Sequence, residues 1–172
     1  MVEEGGVLEE ISGEQFTRDA TVHLPATMKV IGEDVFRGFT GTLNIDYSKL
    51  EKIGDRAFEG CSALPEEISF ANLRSLGATA FSNTPIKRVT FGPELTELGQ
   101  FIFNESEAAL TEVHFLGQTP PQTIPYPPYP IEWHWLGGNY QPTTAIYVPQ
   151  AAFDAYQQAW GDAPWWNLVS TE

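Results

Sequence analysis

The chain has 172 residues, of which 42% are hydrophobic and 19% charged, a balance that fits one globular domain with a core rather than a disordered tail. Nine basic residues stand against 23 acidic ones, a formal net charge of -14; this argues against nucleic acid and against an anionic membrane surface, because each phosphate contact needs a cation. No apolar run is long enough to cross a bilayer, and the single cysteine, Cys61, excludes an intrachain disulfide and a cysteine-rich zinc site.

Residues 1–20 read as an acidic lead-in and a degenerate first cap. "MVEEGGVLEE" has neither the basic start nor the apolar stretch of a signal peptide. Two readings stay open: a cytosolic protein, or the mature part of an exported one.

Residues 21–115 repeat. A glycine followed four residues later by phenylalanine occurs at Gly32/Phe36, Gly54/Phe58, Gly77/Phe81 and Gly99/Phe103, with successive spacings of 22, 23 and 22 residues. An aliphatic precedes each glycine: Ile31, Ile53, Leu76 and Leu98. A fainter copy, "ISGEQF", sets Ile11 and Phe16 the same distance apart, with Ser12 in place of the glycine. Between the turns run "TVHL", "TLNIDY", "EEISF", "KRVTF" and "TEVHF", each with the alternation of a half-buried strand. A unit of this size cannot bury its apolar side alone, so consecutive units must stack and the repeated aliphatic and phenylalanine must form interior columns. The period falls in the leucine-rich-repeat range and outside those of ankyrin and tetratricopeptide arrays. The predicted fold is an α/β leucine-rich-repeat solenoid, a β-rich right-handed coil of about five units with short strands and helical turns.

Residues 116–144 lose the regularity. Six prolines fall between Pro120 and Pro130, so "TIPYPPYPIEWHWLGGNY" reads as neither a ladder strand nor a helix interior. It is expected to be an irregular final rung, with Trp133 or Trp135 in the place of the phenylalanine wedge. Residues 145–172 read as a carboxyl-terminal cap. "AIYVP" is a strand and Gln150–Trp160 a short helix whose Phe153, Tyr156 and Trp160 share one apolar face, with Gly161 as a stop signal. All five tryptophans lie after residue 132. Trp160, Trp165 and Trp166 are expected to close the open end of a single domain spanning 1–172.

"LEKIGDRAFEGCSALPEEISF" resembles the BspA-like leucine-rich repeat, whose pattern runs roughly L-x-x-I-G-x-x-A-F-x-G-C-x-x-L-x-x-I-x-(I/F). The cysteine of that pattern appears only at Cys61; Phe39, Thr84 and Ser106 hold the matching positions. "TAIYVPQAAFDAYQQAWGDAPWWNLV" is similar to the strand-then-helix ending of such proteins from Bacteroides-type bacteria, and "FLGQTPPQ" to the Pro-Pro stretch before it. The resemblance covers roughly residues 8 to 172. It implies a secreted or surface-anchored solenoid, with adhesion or host-protein binding proposed for some members.

With the aliphatics inward, strand alternation yields two outward columns. One is His23, Asp46, Ser69, Thr90, His114, Tyr147; its neighbour is Thr21, Asn44, Glu67, Arg88, Glu112, Ala145, with rungs about 4.8 Å apart. Histidine, aspartate and serine on adjacent rungs invite a hydrolase reading. A triad, however, needs the histidine between acid and nucleophile, and no G-x-S-x-G elbow surrounds Ser69. Arg88 between Glu67 and Glu112 reads as a cross-strand charge ladder or as a recognition strip. His23, His114 and His134 show no metal-ligand spacing, and no phosphate loop appears, so neither metal nor cofactor is expected. Cys61 is expected to point inward as a small hydrophobe. Tyr126 to Tyr140 places flat aromatics, among them Tyr129, Trp133 and Trp135, on a proline-stiffened segment suited to stacking on sugars or anchoring a protein; packing against the last rung is the other reading.

The leading expectation is a non-enzymatic, adhesin-like protein-binding module of an exported bacterial protein, taking a host or extracellular-matrix protein through His23, Asp46, Glu67, Ser69, Arg88, Thr90, Glu112 and His114. The alternatives are a glycan-binding module centred on Tyr129, Trp133 and Trp135, or a purely structural segment of a larger surface protein.

Overall fold

The computed structural model describes residues 8–13, 16–106, 110–125, 144–160 and 167–172. The chain winds as a β-solenoid, and each wind contributes one very short strand to a first sheet. These strands are β1 (Glu10–Ile11), β3 (Val30–Ile31), β5 (Lys52–Ile53), β7 (Ser75–Leu76), β9 (Glu97–Leu98) and β11 (Gln122–Thr123), paired in that order and all parallel. Each has an outer residue and an inner one. The inner residues Ile11, Ile31, Ile53, Leu76 and Leu98 stand in register, all buried. Six winds are present where about five are expected. Part of the proline-rich stretch therefore does join a ladder, since Gln122–Thr123 pairs with Glu97–Leu98 before Pro125.

The strands read from the alternating segments form the other sides. β2 (Thr21–His23) pairs with β4 (Thr42–Asn44). Beyond a break, β6 (Glu67–Phe70), β8 (Arg88–Phe91), β10 (Glu112–Phe115), β12 (Ala145–Pro149) and β13 (Asn167–Thr171) form a continuous parallel sheet.

The repeated phenylalanine explains the stack. Phe16, Phe36, Phe58, Phe81 and Phe103 form one column, with successive ring centroids 5.3, 5.4, 5.6 and 5.8 Å apart and the rings nearly parallel. The degenerate unit thus keeps its wedge although its glycine is gone. A second column runs through Phe70, Phe91 and Phe115, at 5.9 and 5.3 Å. Offset stacks at this spacing add to simple area burial.

The turns expected to be helical each carry two left-handed residues, one near each end. Asp34, Arg56, Thr79 and Phe101 have positive φ, and four residues later so do Gly38, Gly60, Asn83 and Glu105. This winding points alternate N–H groups at the next rung: Phe36 N donates to Ala57 O (2.8 Å), Phe58 N to Ala80 O (3.0 Å) and Phe81 N to Ile102 O (2.9 Å). The repeated glycine has a different cause, which is close approach. A Cβ on Gly54 would lie 2.7 Å from Glu33 N and Gly32 C in the rung below.

At the carboxyl end a 3-10 turn (Gln150–Ala152) leads into α1 (Phe153–Trp160). Tyr156 and Trp160 cover Phe115, with centroids at 5.9 and 5.2 Å, and so close the second column. Tyr156 Oη donates to Gly117 O (3.1 Å), so its buried hydroxyl is satisfied. Trp165, Trp166 and Gly161 lie outside the described residues. So does the segment 126–143, which holds Tyr129, Trp133 and Trp135 and the expected tryptophan wedge.

Candidate functional site: the strand face

The outward side chains of β6, β8, β10 and β12 form two columns, set by register. Glu67, Arg88, Glu112 and Ala145 are direct neighbours, and so are Ser69, Thr90, His114 and Tyr147. Both columns continue onto β13 through Asn167 and Val169. That strand was not anticipated; the alternation in "NLVST" behind the paired tryptophans is its sequence signal.

Arg88 is clamped. Its Nε and Nη2 donate to the two carboxylate oxygens of Glu112 at 2.9 and 3.0 Å, and its Nη1 donates to Glu67 Oε1 at 2.9 Å. Glu112 Oε2 also lies 2.9 Å from His114 Nε2. The bidentate bond from Arg88, followed by the bond to His114, holds the Glu112 carboxyl down to about 2. The same pairing raises Arg88 above its already high value. His114 in turn stacks on Tyr147, with ring centroids 4.3 Å apart and planes within 13°. These groups face solvent, so the ladder is screened and its chief product is order among the side chains.

The amino-terminal half of both predicted columns requires correction. Thr21 lies opposite Thr42 and His23 opposite Asn44, a slip of two residues from the expected pairing. Asp46 is not on a strand. Its Oδ1 accepts from Ser48 N (3.1 Å) and Ser48 Oγ (2.6 Å) and opens a 3-10 turn over Tyr47–Lys49, a local bond that competes with the ladder. β4 does not pair with β6. Tyr47 instead turns its ring edge to Phe70 at 6.0 Å. His23, Asp46 and Ser69 are therefore not brought together, whereas Glu67, Ser69, Arg88, Thr90, Glu112 and His114 are.

Cys61 is fully buried, and burial pushes its thiol up to about 11, so it packs as a thiol and not as a nucleophile. The same turn position holds Thr84 and Ser106 one and two units further along. There the hydroxyls find the Phe81 carbonyl, at 2.8 and 3.0 Å. No group of three or more possible metal ligands occurs among the described residues, and none of the described helices is long and apolar enough to cross a membrane.

No curated protein sequence matches significantly. Among solved structures, the crystal structure of the pneumococcal vaccine antigen PcpA is similar, with a TM-score of 0.49 and 16% identity; the match covers 90% of this chain and 42% of that one, so this chain spans less than half of PcpA. A model of the BspA type leucine rich repeat region matches six copies over residues 8–118, more than half the chain and the stretch that holds the first-sheet strands β1, β3, β5, β7 and β9. The chain belongs to the BspA-type leucine-rich-repeat family.

Proposed function

We propose that this solenoid is a non-catalytic binding module of an exported, surface-displayed bacterial protein, and that it takes a host or extracellular-matrix protein through the outer face of β6, β8, β10 and β12. One observation carries the reading: Glu67, Arg88, Glu112, His114 and Tyr147 sit in adjacent columns and hold one another in place. A partner docking on ordered side chains loses less conformational entropy than one that must order them. Arginine and tyrosine are the residues that most often anchor interfaces, and a strip of mixed charge favours the right partner over the wrong one. Display outside the cell is supported by the resemblance of the carboxyl end to the endings of exported Bacteroides-type proteins.

The test is binding to a panel of immobilised extracellular-matrix proteins, comparing the wild type with Arg88→Glu and His114→Ala. Both variants are expected to bind more weakly. Equal binding by all three dismisses the strand face.

A further inference from the structure

The sheets of the coil are finished differently at their edges. The first sheet ends in β1 and β11, each two residues long, and β2 and β4 run for three residues; edges so short offer little to pair with. At β6 the 3-10 turn over Tyr47–Lys49 stands in place of a further strand, with Asn72 Nδ2 donating to Ser48 O (2.6 Å) and Tyr47 against Phe70. β13 has no such finish. It runs for five residues, Asn167–Thr171, without a charge or a proline, and its register with β12 is unbroken by a bulge. Those are the usual guards of an edge. Among the described residues nothing bonds to its outer side.

The ladder identifies the unused groups. Arg88 N donates to Glu66 O (3.0 Å), Glu112 N to Lys87 O (3.1 Å) and Ala145 N to Thr111 O (2.9 Å), each to the residue before its neighbour in the rung below. Backbone groups alternate sides along a strand, so Ala145 and Tyr147 face β10 whereas Ile146 and Val148 face β13. Val169 stands beside Tyr147. Asn167, Val169 and Thr171 therefore bond to β12, and the N–H and C=O of Leu168 and Ser170 point away from the sheet.

We propose that β13 pairs antiparallel with β13 of a second copy of this chain, about a two-fold axis at Val169. Leu168 of each copy then exchanges both backbone bonds with Ser170 of the other. On the outer face Val169 meets Val169, and Asn167 meets Thr171. The strand has the composition that a two-fold pairing needs, polar at both ends and apolar in the middle, and its Leu168 and Val169 are only half-buried. Charge selects the same contact. A chain of net charge -14 repels its own copy over most of its surface, and that repulsion is least at an uncharged edge. Glu172 falls beyond the paired stretch, at opposite ends of the ribbon. The pairing would join two strand faces in one continuous sheet, but it does not depend on what that face binds.

The test is sedimentation equilibrium of the full chain across a range of concentrations, with amide hydrogen exchange as a second readout. A species of twice the chain mass is expected, and it should form more tightly at high salt, where repulsion between the copies is screened. The Leu168 amide should be protected in concentrated samples and exchange freely in dilute ones. Ser170→Pro removes only the outward N–H and leaves the ladder to β12 in place; it should weaken pairing about tenfold, the size of two lost backbone bonds. Val169→Lys sets like charges opposite each other and should weaken it at least as much, with both variants folded by circular dichroism. Thr21→Lys, on the edge of β2, should pair like the wild type. The proposal is overturned if the wild type is monomeric at every concentration, which would leave this edge to an extended segment of another protein, or if Ser170→Pro and Val169→Lys pair as tightly as the wild type. It is equally overturned by masses that climb past the dimer and are lost in Thr21→Lys, which would mean head-to-tail pairing of β13 on β2.

Discussion

Replacing Phe81 by alanine tests the wedge on which the coil depends. The ring is fully buried and meets Phe58 at 5.6 Å, Phe103 at 5.8 Å and Phe70 at 5.5 Å, so it ties the two phenylalanine columns together. Truncating a buried phenylalanine costs about 3–5 kcal/mol, with the spread set by how far the surroundings collapse. Here they cannot collapse along the axis. The rungs on either side are held apart by the ladder bonds Phe58 N to Ala80 O (3.0 Å) and Phe81 N to Ile102 O (2.9 Å), which the substitution leaves intact. The cost is therefore expected in the upper half of the range, about 4 kcal/mol, or roughly 8–16 °C in Tm for a chain of this size. Phe16, half-buried and stacked on Phe36 at 5.3 Å, supplies the internal comparison. Its truncation should cost about 0.8–1.5 kcal/mol, half the value of a fully buried side chain. Urea unfolding followed by circular dichroism measures both. If Phe81→Ala costs no more than Phe16→Ala, the columns do not hold the coil together.

Four further outcomes follow from the geometry. Gly54→Ala should destabilise by about 1–3 kcal/mol in the same assay, since its Cβ would meet backbone that no rotamer change can move aside. Thr79→Gly should stabilise by about 1 kcal/mol: Thr79 is a β-branched residue at φ 53 with a buried hydroxyl that lacks a partner, and relief of both outweighs the added glycine freedom. The folded Glu112 carboxyl titrates near 2, below the ordinary 4.5, so its contribution to stability is complete above pH 4.5 and disappears as pH falls towards 2. Arg88→Gln should move the Glu112 titration, read by NMR, back towards the usual carboxylate range and flatten the loss of stability across that window; unchanged slopes would contradict the clamp. Cys61, with its thiol pushed up to about 11, should resist a thiol reagent at neutral pH in the native protein and react only as the chain unfolds.

How much of this was legible in the sequence depends on periodicity. The interior columns follow from spacing alone, because an aliphatic and a phenylalanine recurring at fixed offsets leave few ways to be buried, and even Phe16 falls into line without its glycine. The faces of the strands were legible for the same reason. Register was legible only in part. A slip of one residue turns every side chain over and is forbidden by burial; a slip of two keeps each side chain on its face and leaves the alternation unchanged. His23 against Asn44 instead of Asp46 is such a slip. It is decided by a local contest that alternation does not record, in which Asp46 bonds to Ser48 and ends the strand.

In-register stacking also dictates what the outer columns can contain. Identical neighbours favour an interior column, where rings and aliphatics pack alike at every rung. On the outside, equivalent positions about 4.8 Å apart would place like charges side by side, and a chain with 23 acidic and 9 basic residues has few cations with which to break up its carboxylates. It sets two of them between acids: Lys29 lies between Glu9 and Glu51, and Arg88 between Glu67 and Glu112. Arg88 therefore has a structural task whether or not a partner exists, and Arg88→Glu will disturb the sheet surface as well as any interface. Loss of binding in that variant supports the strand face only if His114→Ala, which leaves both Arg88 ion pairs in place, weakens binding too.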